Sequence, residues 1–542
     1  MNFDPVLLAS RAGEMKERGF WRDETILDHF QRALRDCPEK TAIVAYREGE
    51  PEVLRLSYGE LHRRVDRAAR GLVRLGVGRG DVVSYQLPNW WEFVVLVLAC
   101  ARIGAVSNPV MPIFRQRELS FMLNFGESKV FVVPRCYRGF DYEGMARGML
   151  DKLPHLKQLI VVDGSGPDSF AALLMDDETP PLAAEPIAPD DVMLLMYTSG
   201  TTGEPKGVMH TANTLFSNLY AYKERMELGA SEVILGASPM AHLTGYGYLV
   251  TLPVILNATT VLLDVWDAKK ALSIVRDEAV TFSMASATFV ADLCNAVEQG
   301  EPTSPTFTRF NCAGAPIPPV LIERAWKLMN LLVCSAWGMT ENGAVTVTEP
   351  WRALEKSGCS DGRPLPGMEV KVCDVTGRTV PAGETGELFV RGASLFAGYL
   401  KRPQLNNVDA DGWFDTGDLA WIDAEGYIRI NGRSKDVVIR GGENIPVVEI
   451  ENLLYKHPAI AAAAVVGFPD KRFGERVCAF VGLKQGCSFT FEDMTAYFTG
   501  LQLTRQYIPE RLEVLEQMPQ TPSGKLQKFK LREMARAFAD QG

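Results

Sequence analysis

The spacing of apolar residues predicts alternating helices and strands over the first third of the chain. A capping-box pattern at 57–60 opens one amphipathic segment, and Gly76 is expected to end it. Its apolar residues recur at helical spacing: Leu61, Val65, Ala68, Leu72 and Leu75. Short apolar runs at 82–85, 130–133 and 159–162 are typical of buried strands and are separated by segments of helix length. This alternation predicts a largely parallel α/β sheet.

The end of the chain carries an alternation of its own. Helices are predicted at 448–454 and 491–499, and strands at 462–467 and 512–515. With 542 residues the chain is too long for a single core, so two or more domains are expected. We therefore predict that the tail forms a separate, smaller α+β domain.

Composition excludes several classes of function. A net charge of −10 argues against a nucleic-acid partner, because phosphate backbones attract basic surfaces. The first residues lack a basic start and a long apolar run, and the longest apolar stretch, 93–101, is too short to span a membrane and is predicted to be a core helix. The ten cysteines are scattered without metal-ligand spacing, which predicts reduced thiols, a cytoplasmic location and no zinc site.

One loop carries the clearest chemical signal. Tyr197-Thr198-Ser199-Gly200-Thr201-Thr202-Gly203-Glu204-Pro205-Lys206-Gly207 follows an apolar run at 192–196 that is predicted to be a buried strand. Its glycines let the backbone approach an anion, its hydroxyls add donors, and Lys206 adds a positive charge. A Walker loop requires Ser or Thr after the lysine, and Gly207 stands there instead. The remaining alternative is a solvated loop.

The same loop resembles the phosphate loop of the AMP-forming acyl-CoA synthetases, the adenylate-forming superfamily. Further motifs occur in the expected order over nearly the whole chain. The resemblance implies that Glu341, which could also be a surface carboxylate, binds Mg²⁺ with help from Thr201. It also implies a set of phosphate contacts: Thr198, Ser199, Gly200, Thr202, Gly203 and Lys206.

The resemblance also implies an adenosine site. Trp337, which could also be a core residue, is expected to stack on adenine, with Ala315 and Pro316 on the opposite face. Gly314, Gly338 and Thr340 belong to the same two motifs. Asp418 is expected to accept two hydrogen bonds from the ribose diol, and Arg433 to reach the ribose or a phosphate.

A run at 238–248 is assigned to the acyl end. His242 beside apolar residues could be a packed core histidine, but with Gly245 it matches the family position beside the acyl carboxylate. In the family's acetate-specific members a tryptophan replaces Gly338, so an open acyl pocket is expected here. Its mainly apolar and aromatic lining suits a hydrophobic acid; the candidates are Tyr246, Tyr248, Met284, Gly338, Gly314 and Ala336.

The resemblance further implies a mobile C-terminal domain. Residues 1–432 are expected to form the N-terminal domain, 433–436 a hinge and 437–542 a lid. Lys435 matches the hinge position, and Gly441 and Gly442 match the loop that lines the pantetheine channel of CoA. Lys525 matches the family's catalytic lysine, and we prefer it to Lys528 and Lys530.

These expectations combine into an AMP-forming acid–CoA ligase that uses ATP, Mg²⁺ and CoA and has neither a nucleic-acid partner nor a membrane segment. The run at 238–248 is similar to that of cyclohexanecarboxylate–CoA ligases, which suggests an alicyclic or medium-chain acid. An amino-acid-activating enzyme would carry an aspartate within 237–243, where none stands. A luciferase-like oxygenase and a nucleotide sensor without catalysis stay open, and either a monomer or a homodimer is compatible.

Overall fold

The computed structural model describes residues 3–176, 185–198, 205–314, 317–433, 438–440, 443–445, 447–470, 474–501, 503, 505–520 and 526–538. Over these residues the chain is an α/β protein with a large N-terminal domain and a smaller C-terminal domain, as the sequence predicts. No helix in the described part of the chain combines the length and the apolar character needed to cross a bilayer.

The helices follow the predicted periodicity closely. They are α1 Ala12–Glu17, α2 Ile26–Asp36, α3 Tyr58–Arg74, α4 Trp91–Arg102, α5 Gln116–Phe125, α6 Tyr142–Arg147, α7 Phe170–Leu174, α8 Ala212–Arg225, α9 Leu243–Gly245, α10 Leu252–Leu256, α11 Ala268–Asp277, α12 Ala287–Glu298, α13 Pro319–Met329, α14 Ala353–Lys356, α15 Val447–Tyr455, α16 Phe491–Gly500 and α17 Lys528–Arg536. A π-helical turn, Tyr246–Thr251, joins α9 to α10.

The strands include those predicted at 82–85, 130–133, 159–162 and 192–196. They are β1 Thr41–Tyr46, β2 Leu54–Ser57, β3 Val82–Tyr85, β4 Val106–Pro109, β5 Ser128–Pro134, β6 Cys136–Tyr137, β7 Phe140–Asp141, β8 Gln158–Val162, β9 Val192–Thr198, β10 Lys206–Thr211, β11 Val233–Gly236, β12 Thr259–Leu263, β13 Phe282–Ala285, β14 Arg309–Ala313, β15 Leu332–Met339, β16 Gly343–Val347, β17 Arg363–Pro364, β18 Met368–Cys373, β19 Gly386–Gly392, β20 Gly398–Tyr399, β21 Phe414–Ile422, β22 Ile428–Arg433, β23 Val438–Arg440, β24 Glu443–Ile445, β25 Ile460–Asp470, β26 Gly474–Leu483 and β27 Arg511–Val514.

Local chemistry explains the helix that the sequence predicts best. The Ser57 hydroxyl accepts a hydrogen bond from Glu60 N at 3.2 Å, and the Glu60 carboxylate accepts one from Ser57 N at 2.8 Å. This reciprocal pair satisfies amide groups that a helix start leaves without partners. After α3, Gly76 adopts a φ of +79°, which stops the helix as predicted.

Two sheets form the framework of the N-terminal domain. One has the order β17-β16-β15-β14-β13-β11-β12-β1-β2, and the other has the order β20-β10-β9-β4-β3-β5-β8. Their central strands are parallel, whereas β16, β17, β10, β20 and β2 pair antiparallel at the edges. One apolar core contains residues of both sheets together with α3, α4 and α8. The run predicted to be a core helix, α4, is buried along nearly its whole length.

Two features differ from the sequence-based expectation. The turn residues and acids within 383–442 predict a domain junction, but this segment contributes β19, β21 and β22 to an antiparallel sheet of order β18-β19-β21-β22. The apolar run at 331–334 predicts a strand that stops there, but β15 continues to Met339, because Ala336 and Trp337 pair with Val347 and Thr346 of β16. Small residues that resemble a loop in the sequence are therefore held in a ladder.

The C-terminal domain is built around an antiparallel pair. β25 and β26 pair over most of their length, and the other edge of β26 pairs with β23 at Gly474 and, in parallel, with β27 at 478–481, while β24 pairs with β23. Helices α15 and α16 share one apolar core with this sheet, while α17 packs on its second face. The predicted α+β tail is thus confirmed as a fold, whereas its boundary and its motion stay predictions.

Candidate active site

The candidate phosphate loop connects two antiparallel strands. Lys206 opens β10 and lies opposite Thr198, the last residue of β9. The Thr198 hydroxyl is buried and has no hydrogen-bond partner among the described residues. Ser199, Gly200, Thr201, Thr202 and Gly203 lie outside the described residues, so their phosphate contacts stay predictions. The loop is a hairpin connection, unlike the strand-to-helix turn of a Walker loop.

Lys206 and Glu341 meet at one hydroxyl group. The Lys206 ammonium donates to Tyr399 Oη at 3.0 Å and lies 4.4 Å from the centre of the Tyr399 ring. Tyr399 Oη donates to Glu341 Oε1 at 2.6 Å. Glu341 is only 4% exposed, so its carboxylate is largely desolvated. The structure therefore joins the predicted phosphate-binding lysine to the predicted metal ligand through a tyrosine that sequence reasoning missed.

The two predicted adenosine contacts also touch each other. Trp337 Nε1 donates to Asp418 Oδ2 at 3.0 Å, and both side chains are more than nine-tenths buried. Asp418 pairs with Arg433 across β21 and β22, so the two expected ribose residues occupy opposite positions in one ladder. The side chain of Arg433 lies outside the described residues. The bond from Trp337 orients the Asp418 carboxylate and occupies one of its oxygens.

Backbone geometry shapes the ends of β14 and β15. Gly314 adopts a φ of +89°, which favours glycine, while its neighbours Ala315 and Pro316 lie outside the described residues. A Cβ on Gly338 would lie 1.9 Å from Gly343 O, because the β15–β16 ladder shifts register between Trp337 and Gly338. Close backbone approach is therefore a second reason for glycine at 338, beside the predicted open pocket.

A buried histidine fixes the carbonyl of Thr340, which precedes Glu341. His210 Nε2 lies 2.7 Å from Thr340 O, and since a carbonyl can only accept, Nε2 carries the proton. Burial lowers the pKa of His210 to about 4, so the ring is neutral at physiological pH. His210 thus anchors the Thr340-Glu341 turn to β10, a contact for which no local pattern in the chain is a signal.

The acyl end is positioned by a helix with an unusual turn. His242 is exposed and caps α9, accepting a hydrogen bond from Thr244 N at 3.2 Å through Nδ1. Gly245 has no room for a side chain, since its Cβ would lie 2.1 Å from Pro239 O. The π-helical turn begins at the next residue, and such turns are frequent at functional sites.

Three of the predicted pocket residues are packed inside the protein. Tyr246, Tyr248 and Met284 are buried, and Gly338 is exposed. Tyr248 Oη donates to Asn218 Oδ1 at 2.6 Å and accepts from Ala344 N at 2.9 Å, which ties the π-helical turn to β16. These hydrogen bonds hold the Tyr248 ring in place, and its contact with an acyl group stays a prediction.

The loop before His242 is held by Asn89, another residue missed in the sequence. Asn89 Nδ2 donates to Ser238 O at 2.9 Å and Gly236 O at 3.1 Å, and Asn89 Oδ1 accepts from Met240 N at 2.9 Å. Asn89 follows the carboxyl end of β3, where ligand-binding residues of parallel sheets concentrate. This place just after a parallel strand is the signal by which Asn89 could have been identified from the sequence.

Several residues assigned to the mobile domain lie outside the described residues: Lys435, Gly441, Gly442 and Lys525. Their hinge, CoA-binding and catalytic roles stay predictions. Among the two rejected alternatives to Lys525, Lys528 forms an ion pair with Glu451 at 2.7 Å inside the C-terminal domain. This contact engages the Lys528 ammonium and agrees with the preference for Lys525.

Comparisons with known proteins show which families this chain matches. The family model described as AMP-binding enzyme matches residues 30–400, and that of the AMP-binding enzyme C-terminal domain matches residues 449–525. A medium-chain fatty-acid–CoA ligase of Escherichia coli (strain K12) is 34% identical over 528 residues, covering 96% of this chain and 92% of the relative.

Two further proteins extend the comparison. A salicylyl-CoA synthase / salicylate adenylyltransferase of a Streptomyces species is 32% identical over 544 residues, covering 98% of this chain and 97% of the relative. The crystal structure of ATP-bound MatB from Rhodopseudomonas palustris superimposes with a TM-score of 0.83 at 28% identity, covering 95% of this chain and 99% of that structure. The likeness therefore includes both domains.

Proposed function

The chain belongs to the AMP-binding enzyme family, and on that premise we propose that it is an ATP-dependent, AMP-forming carboxylic acid–CoA ligase. The observation that carries the proposal is the Lys206–Tyr399–Glu341 chain beside the Trp337–Asp418 pair. Val208, Trp337, Tyr399 and Phe414 pack in one apolar cluster, so the strands bearing both groups meet at one place. A cation for phosphate, a carboxylate for a metal ion and a pair of side chains for adenosine together suit a nucleoside triphosphate.

In the first half-reaction a carboxylate oxygen of the acid attacks the α-phosphorus of ATP, and pyrophosphate leaves. The loop 198–207 holds the leaving pyrophosphate, with the Lys206 ammonium as its cation, and Asp418 holds the ribose. Lys525 offsets the negative charge that builds on the α-phosphoryl oxygens. The product, an acyl adenylate, has AMP as a good leaving group.

Glu341 and the Thr201 hydroxyl would hold a magnesium ion. Glu341 supplies a desolvated oxygen ligand, and Mg²⁺ is usually bound by one or two carboxylates together with substrate phosphates, so the carboxylate fits this ion. When bound, Mg²⁺ would neutralise charge on the phosphates. The protein's own contribution is to keep Glu341 at a fixed place, through Tyr399 on the side chain and through His210 on the preceding turn.

In the second half-reaction the CoA thiol attacks the acyl carbon, AMP leaves and the thiol proton passes to solvent. We propose that the C-terminal domain rotates about Lys435 between the two steps. Rotation withdraws Lys525 and brings Gly441 and Gly442 toward the site, where they line the path of the pantetheine arm. The closed site excludes water from an intermediate that would otherwise hydrolyse.

A medium-chain or alicyclic acid is the proposed substrate. The E. coli relative is named for medium-chain fatty acids, and the acyl-end candidates Tyr246, Tyr248 and Met284 present aromatic and thioether groups. The Streptomyces relative is named for salicylate, which makes an aromatic acid the second candidate. A pyrophosphate-release assay with octanoate, cyclohexanecarboxylate, salicylate, acetate and an amino acid separates these substrates. Preference for acetate or the amino acid would overturn the proposal.

The Lys525→Ala variant tests whether Lys525 acts in the first half-reaction only. Because Lys525 is proposed to act only on the α-phosphate, adenylate formation from acid and ATP should fall at least about a hundredfold. Thioester formation from supplied acyl adenylate and CoA should stay within about twofold of wild type. Lys530→Ala is the matched control and should leave both half-reactions unchanged. If Lys525→Ala lowers both half-reactions by the same factor without loss of stability, the assigned role is wrong.

A further inference from the structure

Tyr399 is proposed above only to hold Glu341, yet its hydroxyl group also contacts Lys206. Its hydroxyl contacts an ammonium at 3.0 Å and a carboxylate at 2.6 Å. An ammonium can only donate and a carboxylate can only accept, so the hydroxyl proton must point to Glu341 while an oxygen lone pair faces Lys206.

The backbone around Tyr399 is fixed to the residues that its side chain contacts. We call residues 392–400 the strap. Phe396 N donates to Glu341 O at 2.7 Å, and Leu400 N donates to Gly207 O at 2.8 Å, next to Lys206. The strap is therefore hydrogen-bonded to the turn that carries Glu341 and to the strand that carries Lys206.

The N-terminal segment holds the strap from its other side. The partly buried Arg11 guanidinium donates to the carbonyls of Leu395 and Phe396, and Trp21 Nε1 donates to Ala393 O at 2.9 Å. The Phe396 ring contacts the Tyr399 ring edge-on with centroids 4.7 Å apart. Few rotations are left to the Tyr399 side chain, so its hydroxyl is a fixed reference point for the two charged groups.

We infer that Tyr399 is a positioning residue for ATP, whose hydroxyl separates the Lys206 ammonium from the Glu341 carboxylate and holds each ready for the phosphate tail. The inference rests on the proposed function. Without the hydroxyl, two oppositely charged groups in a desolvated site would approach each other and form a direct ion pair. ATP would then have to break that pair before Lys206 could reach a phosphate.

The Tyr399→Phe variant tests this inference because it removes one oxygen and keeps the ring that packs against Phe396 and Lys206. Hydrogen bonds to charged groups are worth enough that the KM for ATP should rise about 10- to 100-fold. The KM for the acid, and thioester formation from supplied acyl adenylate, should change less than about twofold. Calorimetric titration of ATP in EDTA isolates the Lys206 contact, and its Kd should rise about tenfold.

Tyr427→Phe is a matched control in the same domain. The Tyr427 hydroxyl donates to the buried Glu349 carboxylate at 2.7 Å, and a lysine, Lys356, lies 4.7 Å from its ring centre. This variant removes a chemically equivalent hydroxyl and should lower the melting temperature about as much as Tyr399→Phe does. It should leave the KM for ATP and the Kd for ATP at their wild-type values.

The outcomes separate the two ideas. An unchanged Kd and KM for ATP in Tyr399→Phe would overturn the inference, and so would an equal fall of both half-reactions, since that pattern indicates a scaffold role. If the wild-type protein forms no adenylate with any acid tested, the proposed function fails instead. The calorimetric comparison of wild type, Tyr399→Phe and Tyr427→Phe still decides the positioning role in that case.

Discussion

Gly338 offers the sharpest test of why a particular residue stands at the centre of the site. An added Cβ would lie 1.9 Å from Gly343 O, 2.7 Å from the Gly343 carbonyl carbon and 2.8 Å from Ala344 Cα. All three atoms belong to the backbone of β16, so no side-chain rotation can relieve the contact. We expect Gly338→Ala to push β16 away from β15.

The cost can be estimated from the contacts that β16 makes. Overpacking typically costs about 1–3 kcal/mol. Displacing Ala344 also strains the hydrogen bonds from Ala344 N to Tyr248 Oη and from Asn218 Nδ2 to Ala344 O, each worth about 1 kcal/mol. A total of about 3–5 kcal/mol, divided by the large unfolding entropy of a domain of this size, should lower the melting temperature by about 3–6 °C.

Differential scanning calorimetry with a second glycine as control measures this effect. Gly247 lies in the π-helical turn, where an added Cβ would meet only Leu219 Cδ2 at an ordinary 3.7 Å. Gly247→Ala should therefore melt at the wild-type temperature or slightly above it. If Gly338→Ala also melts within 1 °C of wild type, and Gly338→Trp folds but accepts only short acids, pocket size alone explains Gly338 and the backbone argument is refuted.

Two further predictions concern buried polar groups outside the phosphate site. Burial raises the pKa of Glu92 to about 7 from 4.5, against the opposing effect of Arg47. The folded state therefore binds the proton more tightly than the unfolded state does. Stability is lost as pH rises from about 4.5 to 7. The free energy of unfolding should change by about 3 kcal/mol over this range. In Glu92→Gln the melting temperature should depend less on pH between about 4.5 and 7. An unchanged slope would show that another group titrates. Asn89→Asp replaces the amide that faces the Ser238 and Gly236 carbonyls with a carboxylate, so the KM for the acid should rise about tenfold or more while the KM for ATP stays within twofold. An equal rise of both KM values would contradict a role of Asn89 confined to the acyl loop.

Local patterns in the sequence were sufficient for the helices with a clear start or an uninterrupted apolar run. Helix α3 follows from its capping box and its apolar spacing, and α4 follows from an uninterrupted apolar run. The residues that carry these signals lie within a few positions of one another, so the sequence alone is enough to recognise them. The pairing of β15 with β16 was not predicted, because glycine and serine at 335–338 suggested a loop. Only the pairing with β16 makes these residues a strand.

The long-range contacts of the site could not be read in this way. Tyr399 is 193 residues from Lys206 and 58 residues from Glu341, and Asn89 contacts carbonyls 147 and 149 residues away. No periodicity encodes such pairs, because they depend on how the sheets pack. Resemblance to a family supplied Lys206, Glu341, Trp337 and Asp418, but it gave no reason for the residues that hold them.

The two ends of the candidate site are built from different kinds of structure. Lys206, Trp337 and Asp418 lie on strands, and their backbones are fixed by ladders in which every neighbour constrains the next. His242 lies instead at the start of a short helix that continues into a π-helical turn, held mainly by the side chains of Asn89 and Tyr248. A single substitution can shift this short helix and the π-helical turn without breaking the hydrogen bonds of a sheet. We therefore expect changes around 236–251 to alter which acid is accepted while ATP binding is retained, and parallel KM measurements for acid and ATP across an alanine scan of this segment test that separation.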